Sequence, residues 1–254
     1  MFAGGREPDK YANVRPDPPM PGLNPSAIRL MIGTPTSDAT VTTAYLHSVV
    51  KSAALFGKLG LHYSLITASG AAVDIARNRL VARFMSEPDL THLLFIDEDH
   101  GWDAGLIVKL LEADRDVIGI AYRRKRDARH WAVNLGTRPG TMENGLLEVA
   151  ELGSGFLLIR RAAFARMFAS YPELKINDTA DDVTPAMAPH YYALFQNCHI
   201  DGNYYSEDYA FCVRWRKLGG RVFIDPSCGI SHIGAHDYAG TIAQDIVPAG
   251  DQAR

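Results

Sequence analysis

Two aspartates separated by one residue follow directly on a run of apolar side chains. The run is Leu93-Leu94-Phe95-Ile96, typical of a strand buried on both faces, and it ends at Asp97-Glu98-Asp99. Two carboxylates at the end of a buried strand are costly unless a positive charge lies between them. Mg²⁺ and Mn²⁺ prefer such hard oxygen ligands and keep positions for phosphate oxygens. The pattern therefore predicts a divalent-metal site, with a solvated acidic turn as the alternative.

Three later segments also carry residue types suited to a ligand site. In Gly153-Ser154-Gly155 the missing side chains would let backbone and ligand approach closely, although a bulge or tight bend also explains the glycines. Ser206-Glu207-Asp208 opens a predicted helix, where the carboxylates either complement the helix dipole or face a cleft. His232, within Ile230–Gly234, is either a metal ligand or an ordinary surface or core histidine.

Together these four segments resemble the GT-A glycosyltransferases. Phe95-Ile96-Asp97-Glu98-Asp99 is similar to that family's Asp-x-Asp motif, whose carboxylates hold a metal on the donor's diphosphate. The other segments are similar, in the family's order, to its glycine-containing strand beside the donor sugar, its Glu-Asp motif and its closing segment with a histidine. The resemblance covers residues 28–234. The chain lacks the Gln-x-x-Arg-Trp-like motif of processive synthases, which residues 211–215 match only in part. A single transfer is therefore expected.

The resemblance implies a role for each candidate residue. Asp97, Asp99 and His232 would hold Mn²⁺ or Mg²⁺ on the diphosphate, where the ion stabilises the leaving nucleotide. Asp208 and Glu207 are the catalytic candidates. Asp208 is favoured as the group that takes the proton of the acceptor hydroxyl in an inverting reaction, or orients substrate in a retaining one. The implied donor-binding residues are Thr34, Pro35, Arg77, Asn78, Asp97, Glu98, Gly153, Ser154 and Gly155.

An acceptor site is expected in residues 177–205 and beside a basic run. Aromatic faces there would stack on a sugar ring, or the tyrosines simply anchor the loop. The run Arg123-Arg124-Lys125-Arg126, followed by Arg129, would neutralise phosphate on donor or acceptor, or form a solvated basic loop. A nucleic-acid acceptor is a hypothesis that rests on this run alone. The acceptor candidates are Tyr204, Tyr205, His190 and Arg123.

A sheet must position these residues, and the hydrophobic pattern predicts one. Short apolar runs alternate with segments of helical period, which is typical of a parallel or mixed sheet covered by helices. In such sheets, ligands bind beyond the carboxyl ends of the strands. The expected fold is a single α/β domain of the GT-A, Rossmann-like type, with a mixed, mainly parallel sheet flanked by helices. Predicted strands cover residues 28–32, 63–67, 93–96, 117–121, 155–159 and 221–225, and predicted helices cover 43–57, 73–85, 104–113 and 206–218.

Two of the predicted helices have distinct faces. In the first, Leu46, Val50, Ala53 and Gly57 form one apolar face. In the second, an apolar face that includes Leu80 and Phe84 is expected to face the core. Arg77 and Asn78 then lie on the opposite side of this helix. There they would either form a polar surface or take part in donor binding.

Composition bounds the remaining possibilities. The chain has 254 residues, 47% hydrophobic and 22% charged, and a net charge of −3, which gives no global attraction to nucleic acid or anionic lipid. Residues 1–27 are predicted to be a flexible Pro-rich arm, 28–238 the catalytic domain and 239–254 a loose tail. Three cysteines without paired spacing fit reduced thiols, and no apolar stretch reaches the ~20 residues needed to cross a bilayer. A cytoplasmic protein without membrane contact is expected.

The function expected from these patterns is a metal-dependent, non-processive glycosyltransferase. Its donor would be a nucleotide diphosphate sugar, a UDP-sugar by preference or a GDP-sugar, and its acceptor a glycan, protein, small molecule or modified nucleic acid. One alternative is a nucleotidyltransferase, although Gly33-Thr34-Pro35-Thr36-Ser37 lacks the basic residue of a phosphate loop. A non-catalytic nucleotide- or carbohydrate-binding module on the same fold is the other alternative.

Overall fold

A mixed sheet of eight strands forms the centre of the described part of the chain. The structure is a computed structural model that describes residues 23–126, 130–136, 141–177 and 182–246. The strands are β1 (Arg29–Pro35), β2 (His62–Ala68), β3 (His92–Ile96), β4 (His100–Gly101), β5 (Val117–Gly119), β6 (Val133–Asn134), β7 (Met142–Glu143), β8 (Leu146–Val149), β9 (Glu151–Leu152), β10 (Phe156–Arg160), β11 (Cys198–Ile200), β12 (Asn203–Tyr205), β13 (Val222–Ile224) and β14 (Ser231–His232). The α-helices are α1 (Thr43–Leu59), α2 (Val73–Ser86), α3 (Gly105–Glu112), α4 (Arg161–Ser170) and α5 (Glu207–Lys217).

The strand order brings the ends of several strands to one edge. The order is β2-β1-β3-β10-β5-β13-β8-β7, and β8 and β10 run against the other strands. The carboxyl ends of β1, β3 and β5 therefore lie at the same edge as the amino end of β10. Three short two-stranded ladders, β4 with β14, β6 with β9 and β11 with β12, lie outside this sheet. The expected α/β class, with a mixed sheet flanked by helices, is confirmed.

Two apolar layers sandwich the sheet. One contains Phe84, Phe95 and Phe211 and packs α2, α4 and α5 on one face. The other contains Phe56 and Trp102 and packs α1 and α3 on the opposite face. Burial on both faces explains why the central strands read as nearly continuous apolar runs. Among the described residues, no helix has the length and apolar character needed to span a bilayer.

The expected apolar face of α1 does not face the core. Leu46 and Val50 are 52% and 59% exposed, and the side toward the sheet carries Ser48 and Ser52 instead. Both serines accept hydrogen bonds from Trp102, one from its backbone N (2.8 Å) and one from its Nε1 (3.0 Å). The predicted apolar face is wrong for α1. Hydrogen bonds from Trp102 allow the hydroxyls of Ser48 and Ser52 to be buried, so these serines face the sheet.

The polar side of α2 is also buried. Arg77 and Asn78 are 3% and 4% exposed, although they were predicted to lie opposite the apolar face. Asn78 exchanges two hydrogen bonds with the backbone of Phe195, through its Nδ2 (2.8 Å) and its Oδ1 (2.9 Å). Helix α2 is therefore covered on this side too, by the segment that precedes β11.

The C-terminal segment packs on the domain before the described residues end. Ile242 is 3% exposed and belongs to one of the apolar layers, and Trp131 Nε1 donates to Asp245 Oδ2 at 2.8 Å. A loose tail was predicted from Ala239 onward, but residues 239–246 have these contacts. Residues 247–254, and residues 1–22 of the expected arm, lie outside the described residues.

Candidate functional site

Three potential metal ligands converge at the end of β3. One ligand atom from each of Asp99, His100 and His232 lies within 4.8 Å of the others. Asp99 Oδ1 is buried without a hydrogen-bond partner, and so are both ring nitrogens of His100. Buried polar atoms without partners are rare in proteins, and they mark a place where an ion would supply the missing interactions. The carboxylate–imidazole donor set fits Mn²⁺ or a similar divalent ion.

The local chain geometry explains this convergence. After β3 the chain turns, with the N–H of His100 donating to the carbonyl of Asp97 at 3.2 Å. Strand β4 then pairs with β14, which sets His100 directly opposite His232. The two rings stack with centroids 4.6 Å apart, and the N–H of Ile233 donates to the carbonyl of Asp99 at 2.8 Å.

A backbone carbonyl orients the ring of His232. Its Nδ1 lies 2.7 Å from the carbonyl oxygen of Arg123. Because a carbonyl oxygen can only accept, the proton of the neutral ring is on Nδ1, and Nε2 carries a lone pair. That Nε2 lies 3.5 Å from Asp99 Oδ1. A hydrogen bond that fixes the tautomer in this way is typical of metal-binding histidines.

Burial and charge set the protonation of the cluster. Burial raises the pKa of Asp99, but its contacts with His232 and Lys125 outweigh this effect and hold the pKa below its usual range. Burial also lowers the pKa of His100 to about 4, so its ring is neutral near pH 7. An ionised carboxylate beside the neutral imidazole of His100 is a protonation state that ligates a cation.

Asp97 lies next to this cluster but has a different partner. Arg77 Nη2 donates to Asp97 Oδ1 at 2.8 Å, and Arg77 Nη1 donates to Glu207 Oε1 at 2.5 Å. The predicted donor-binding arginine therefore links the end of β3 to the start of α5. Within the described residues, the group of converging ligands contains Asp99 and His232 but not Asp97. The role of Asp97 as a metal ligand stays a prediction.

The glycine-containing segment packs against protein side chains. A Cβ on Gly155 would lie 2.6 Å from His100 Cε1, 2.8 Å from Asp97 Oδ2 and 2.8 Å from the Tyr122 hydroxyl. A Cβ on Gly153 would lie 2.6 Å from the same hydroxyl. Ser154 between them is fully buried, and its Oγ has no hydrogen-bond partner. These glycines make room for the site's own side chains.

A cavity of about 210 Å³ adjoins the three acidic residues. The predicted Pro35 at the end of β1, with Thr36 and Ser37 after it, forms another part of the wall. Glu98 fastens this part of the wall, because its carboxylate accepts from the backbone N (2.9 Å) and the Oγ (2.7 Å) of Ser37. Thr34 does not line the cavity; it is fully buried and hydrogen-bonded to the Tyr45 hydroxyl. The full lining is Pro35, Thr36, Ser37, Ala71, Val73, Asp97, Glu98 and Asp99.

The two acidic residues at the start of α5 differ in their partners. Glu207 is held by Arg77, and burial, followed by the charge of Asp208, raises its pKa. Asp208 Oδ1 accepts from the hydroxyl of Ser206 and from the backbone N of Tyr209. Ser206 precedes the helix without making a side-chain capping bond, contrary to its expected capping role.

The predicted acceptor residues are spread over the molecule. Tyr204, 65% exposed, and Tyr205 lie in β12, which leads directly into α5. His190 instead stacks on Phe168 of α4, with centroids 6.4 Å apart. Arg123 contributes its carbonyl to His232 and places its guanidinium 5.9 Å from the ring centroid of Tyr238. Arg129 of the basic run lies outside the described residues.

Three residues of the site were missed in the sequence. His100 follows the acidic run directly, and this adjacency is the one signal that pointed to it. Tyr122 packs edge-on against both histidines and accepts a hydrogen bond from the N–H of Gly155 (3.3 Å). Lys125 contacts Asp99, and the sequence showed it only as part of a basic run.

The fold has a counterpart among solved structures, while no family model and no curated protein matches the chain. The crystal structure of A197 from STIV is similar over 89% of this chain and 97% of that chain, at 17% identity and a TM-score of 0.51. The two proteins share a fold.

Two other solved structures are similar to a lesser degree. One is a mutant of Drosophila β-1,4-galactosyltransferase 7 in complex with manganese, UDP-Gal and xylobiose, at 15% identity and a TM-score of 0.43, over 89% of this chain and 77% of that one. The other is a mannose-1-phosphate geranyltransferase from Thermus thermophilus, at 12% identity and a TM-score of 0.42, over 77% and 73%. These likenesses are too slight to carry an argument about function.

Proposed function

We propose that this protein is a metal-dependent glycosyltransferase that moves a sugar from a nucleotide diphosphate, with UDP favoured, to an acceptor hydroxyl. The observation that carries the proposal is the convergence of Asp99, His100 and His232 beside a cavity at the carboxyl end of β3. Open α/β sheets bind their ligands at this kind of edge.

The unpartnered atoms of the cluster support a divalent ion as the missing component. Asp99 Oδ1, a ring nitrogen of His100 and His232 Nε2 would hold it. When bound, such an ion stabilises the negative charge that develops on a leaving diphosphate. Asp97 remains a further candidate ligand through its Oδ2, because Arg77 holds only its Oδ1.

The placement of the cavity supports a nucleotide diphosphate as the donor. The cavity is lined by Asp97, Glu98 and Asp99 and by residues 35–37 at and after the end of β1, so a nucleotide bound there would lie beside the metal cluster. Glu98 keeps this second segment in place through its two bonds to Ser37. Pro35, one of the implied donor-binding residues, would offer the nucleotide an apolar surface.

The two carboxylates at the start of α5 have different partners, and this difference supports different roles for them. Arg77 neutralises Glu207, which suits a structural role. Asp208 Oδ1 accepts hydrogen bonds from two neutral donors, the hydroxyl of Ser206 and the backbone N of Tyr209. We therefore assign Asp208 as the general base that takes the proton of the attacking hydroxyl.

The metal assignment is tested by titrating Mn²⁺ and UDP calorimetrically into the wild type and Asp99→Asn. We expect Asp99→Asn to lose at least tenfold in Mn²⁺ affinity and to lose Mn²⁺-dependent UDP binding, because ligand charge is removed. His100→Phe keeps a flat ring without ligand nitrogens and should lose affinity in the same way. Asp116→Asn removes an equal charge from an exposed position before β5 and is the control. Wild-type binding in both site variants would refute the metal site.

The base assignment is tested by donor hydrolysis, which needs no knowledge of the acceptor. A panel of UDP- and GDP-sugars would first be screened for thermal stabilisation with Mn²⁺, because a bound donor raises the unfolding temperature. With the donor found, Asp208→Asn should slow metal-dependent hydrolysis by about 10²- to 10⁴-fold while leaving UDP affinity nearly unchanged. Near-normal turnover would remove Asp208 from this role.

A further inference from the structure

One ammonium group of the basic run already lies on the carboxylate of the metal cluster. Lys125 Nζ donates to Asp99 Oδ2, and the lysine side chain is 38% exposed. Its stem packs on the segment that follows His232, since a Cβ on Gly234 would lie 3.0 Å from Lys125 Cδ. The lysine is therefore held in place by that segment while its ammonium group reaches the carboxylate.

The rest of this run contacts both sides of the site. The carbonyl of Arg123 orients His232 through the 2.7 Å bond to its Nδ1. Arg124 Nη2 lies 3.4 Å from the hydroxyl of Tyr209 on α5. Residues 123–126 thus contact both the cluster and the helix that carries Asp208.

Two cations cannot share Asp99 without cost. The cluster would bind a divalent ion through Asp99 Oδ1, while the ammonium of Lys125 holds Oδ2 of the same carboxylate. Like charges a few ångströms apart repel, and the effect is strong where solvent is partly excluded. Binding of the ion must therefore weaken or break the Lys125–Asp99 pair.

We propose that Lys125 is the resident counter-cation of Asp99, which a divalent ion displaces, and that the displaced ammonium then binds the phosphates of the nucleotide. The inference rests on the proposed function, because it adds Lys125 as a group that competes with the ion at the proposed metal site. A nucleotide diphosphate gives Lys125 a new anionic partner, so metal and nucleotide assist each other's binding through this side chain. By linkage, the assistance must be equal in both directions.

The competition is tested by calorimetric titration of Mn²⁺ alone into the full chain. Lys125→Met keeps the apolar stem and removes the charge, so it should bind Mn²⁺ about tenfold more tightly than the wild type. Arg126→Met removes the same charge from an exposed position in the same run and should stay within about twofold. Unchanged or weaker binding by Lys125→Met would overturn the proposal, and so would an equal gain in both variants, which would indicate a general effect of net charge.

The coupling is tested by the ratio of Mn²⁺ affinities with and without UDP. This ratio should fall about tenfold in Lys125→Met and remain at the wild-type value in Arg126→Met. A wild-type ratio in Lys125→Met, with Mn²⁺ and UDP still bound, would overturn the role of Lys125 and leave the transferase proposal intact.

The ion pair itself is tested by acetylating surface lysines and following each site by mass spectrometry. Lys125 should react several-fold faster in Asp99→Asn than in the wild type, and addition of Mn²⁺ to the wild type should produce a similar increase. Lys58, exposed at the end of α1, is the internal reference. No increase under either condition would overturn the proposal. Faster labelling in Asp99→Asn, combined with a wild type that binds neither Mn²⁺ nor UDP, would keep the ion pair but count against the transferase and the displacement.

Discussion

Gly155 determines how closely the groups of the site approach one another. Its missing side chain leaves room for His100, Asp97 and Tyr122, all within 3 Å of where a Cβ would lie. The sequence suggested that these glycines admit a ligand. The structure instead fills the space with the side chains that flank the cluster, so Gly155 acts on the ligand site through its neighbours.

We expect Gly155→Ala to destabilise the protein by about 1–3 kcal/mol, because the added methyl group must displace packed side chains. Mn²⁺ affinity should fall with it, since His100 is one of the groups displaced. Gly57→Ala is the control: a Cβ there meets nothing within 4 Å, and alanine in helix α1 should stabilise by about 0.5–1 kcal/mol. Urea unfolding and Mn²⁺ titration measure both effects. A Gly155→Ala protein with normal stability and affinity would show that the site tolerates the methyl group.

At the scale of elements, Arg77 holds two distant parts of the chain together. It extends from α2 to Asp97 at the end of β3 and to Glu207 at the start of α5, and its side chain is 4% exposed. Arginine suits such a link, because its planar group donates in two directions and remains charged when buried. Removal of the guanidinium would leave two carboxylates facing each other without a counter-charge.

Arg77→Met should therefore lower the free energy of unfolding by about 2–4 kcal/mol, somewhat less than for fully buried pairs because Asp97 is 25% exposed. Arg79→Met, on the same helix, breaks an ion pair with Asp182, whose side chain is 67% exposed, and should cost less than about 1 kcal/mol. Chemical denaturation of the two variants provides the comparison. Equal losses would mean that Arg77 contributes no more than a surface ion pair.

The sequence predicts elements better than it predicts their faces. The apolar run 93–96 located β3 and its acidic end because a doubly buried strand leaves a local pattern. The buried side of α1 left no such pattern, since Ser48 and Ser52 depend on Trp102, which is distant in sequence. His100 was missed for a similar reason: only the pairing of β4 with β14 sets it opposite His232. Local chemistry is visible in a sequence, whereas long-range partners are not.

For the molecule as a whole, the shared fold indicates the architecture, whereas the candidate site indicates the chemistry. The likeness to A197 from STIV covers 89% of this chain and 97% of that one, and it shows a shared fold. A fold alone does not determine an activity, because unrelated chemistries occur on the same scaffold. The proposal of a transferase therefore depends on the side chains at one edge of the sheet and on the measurements that test them.

Whole-molecule stability should also depend on a histidine far from the cluster. His92 begins β3, and burial, followed by the charge of Arg160, lowers its pKa from 6.5 to about 4. The unfolded chain therefore binds a proton below pH 6.5 that the folded chain resists until about pH 4. Because the unfolded state takes up more protons in this window, stability is lost as the pH falls through it.

Between pH 7 and pH 5, His92 should account for a loss of about 2 kcal/mol in the free energy of unfolding. His92→Gln cannot titrate, so its stability should fall less over the same interval. Other groups titrate in this interval as well. The measurement is therefore the change in the free energy of urea unfolding between pH 7 and pH 5, compared between the variant and the wild type. His62→Gln, an exposed histidine at the start of β2, is the control and should keep the wild-type pH dependence. An equal loss of stability in His92→Gln would show that the burial of His92 in β3 does not oppose its protonation.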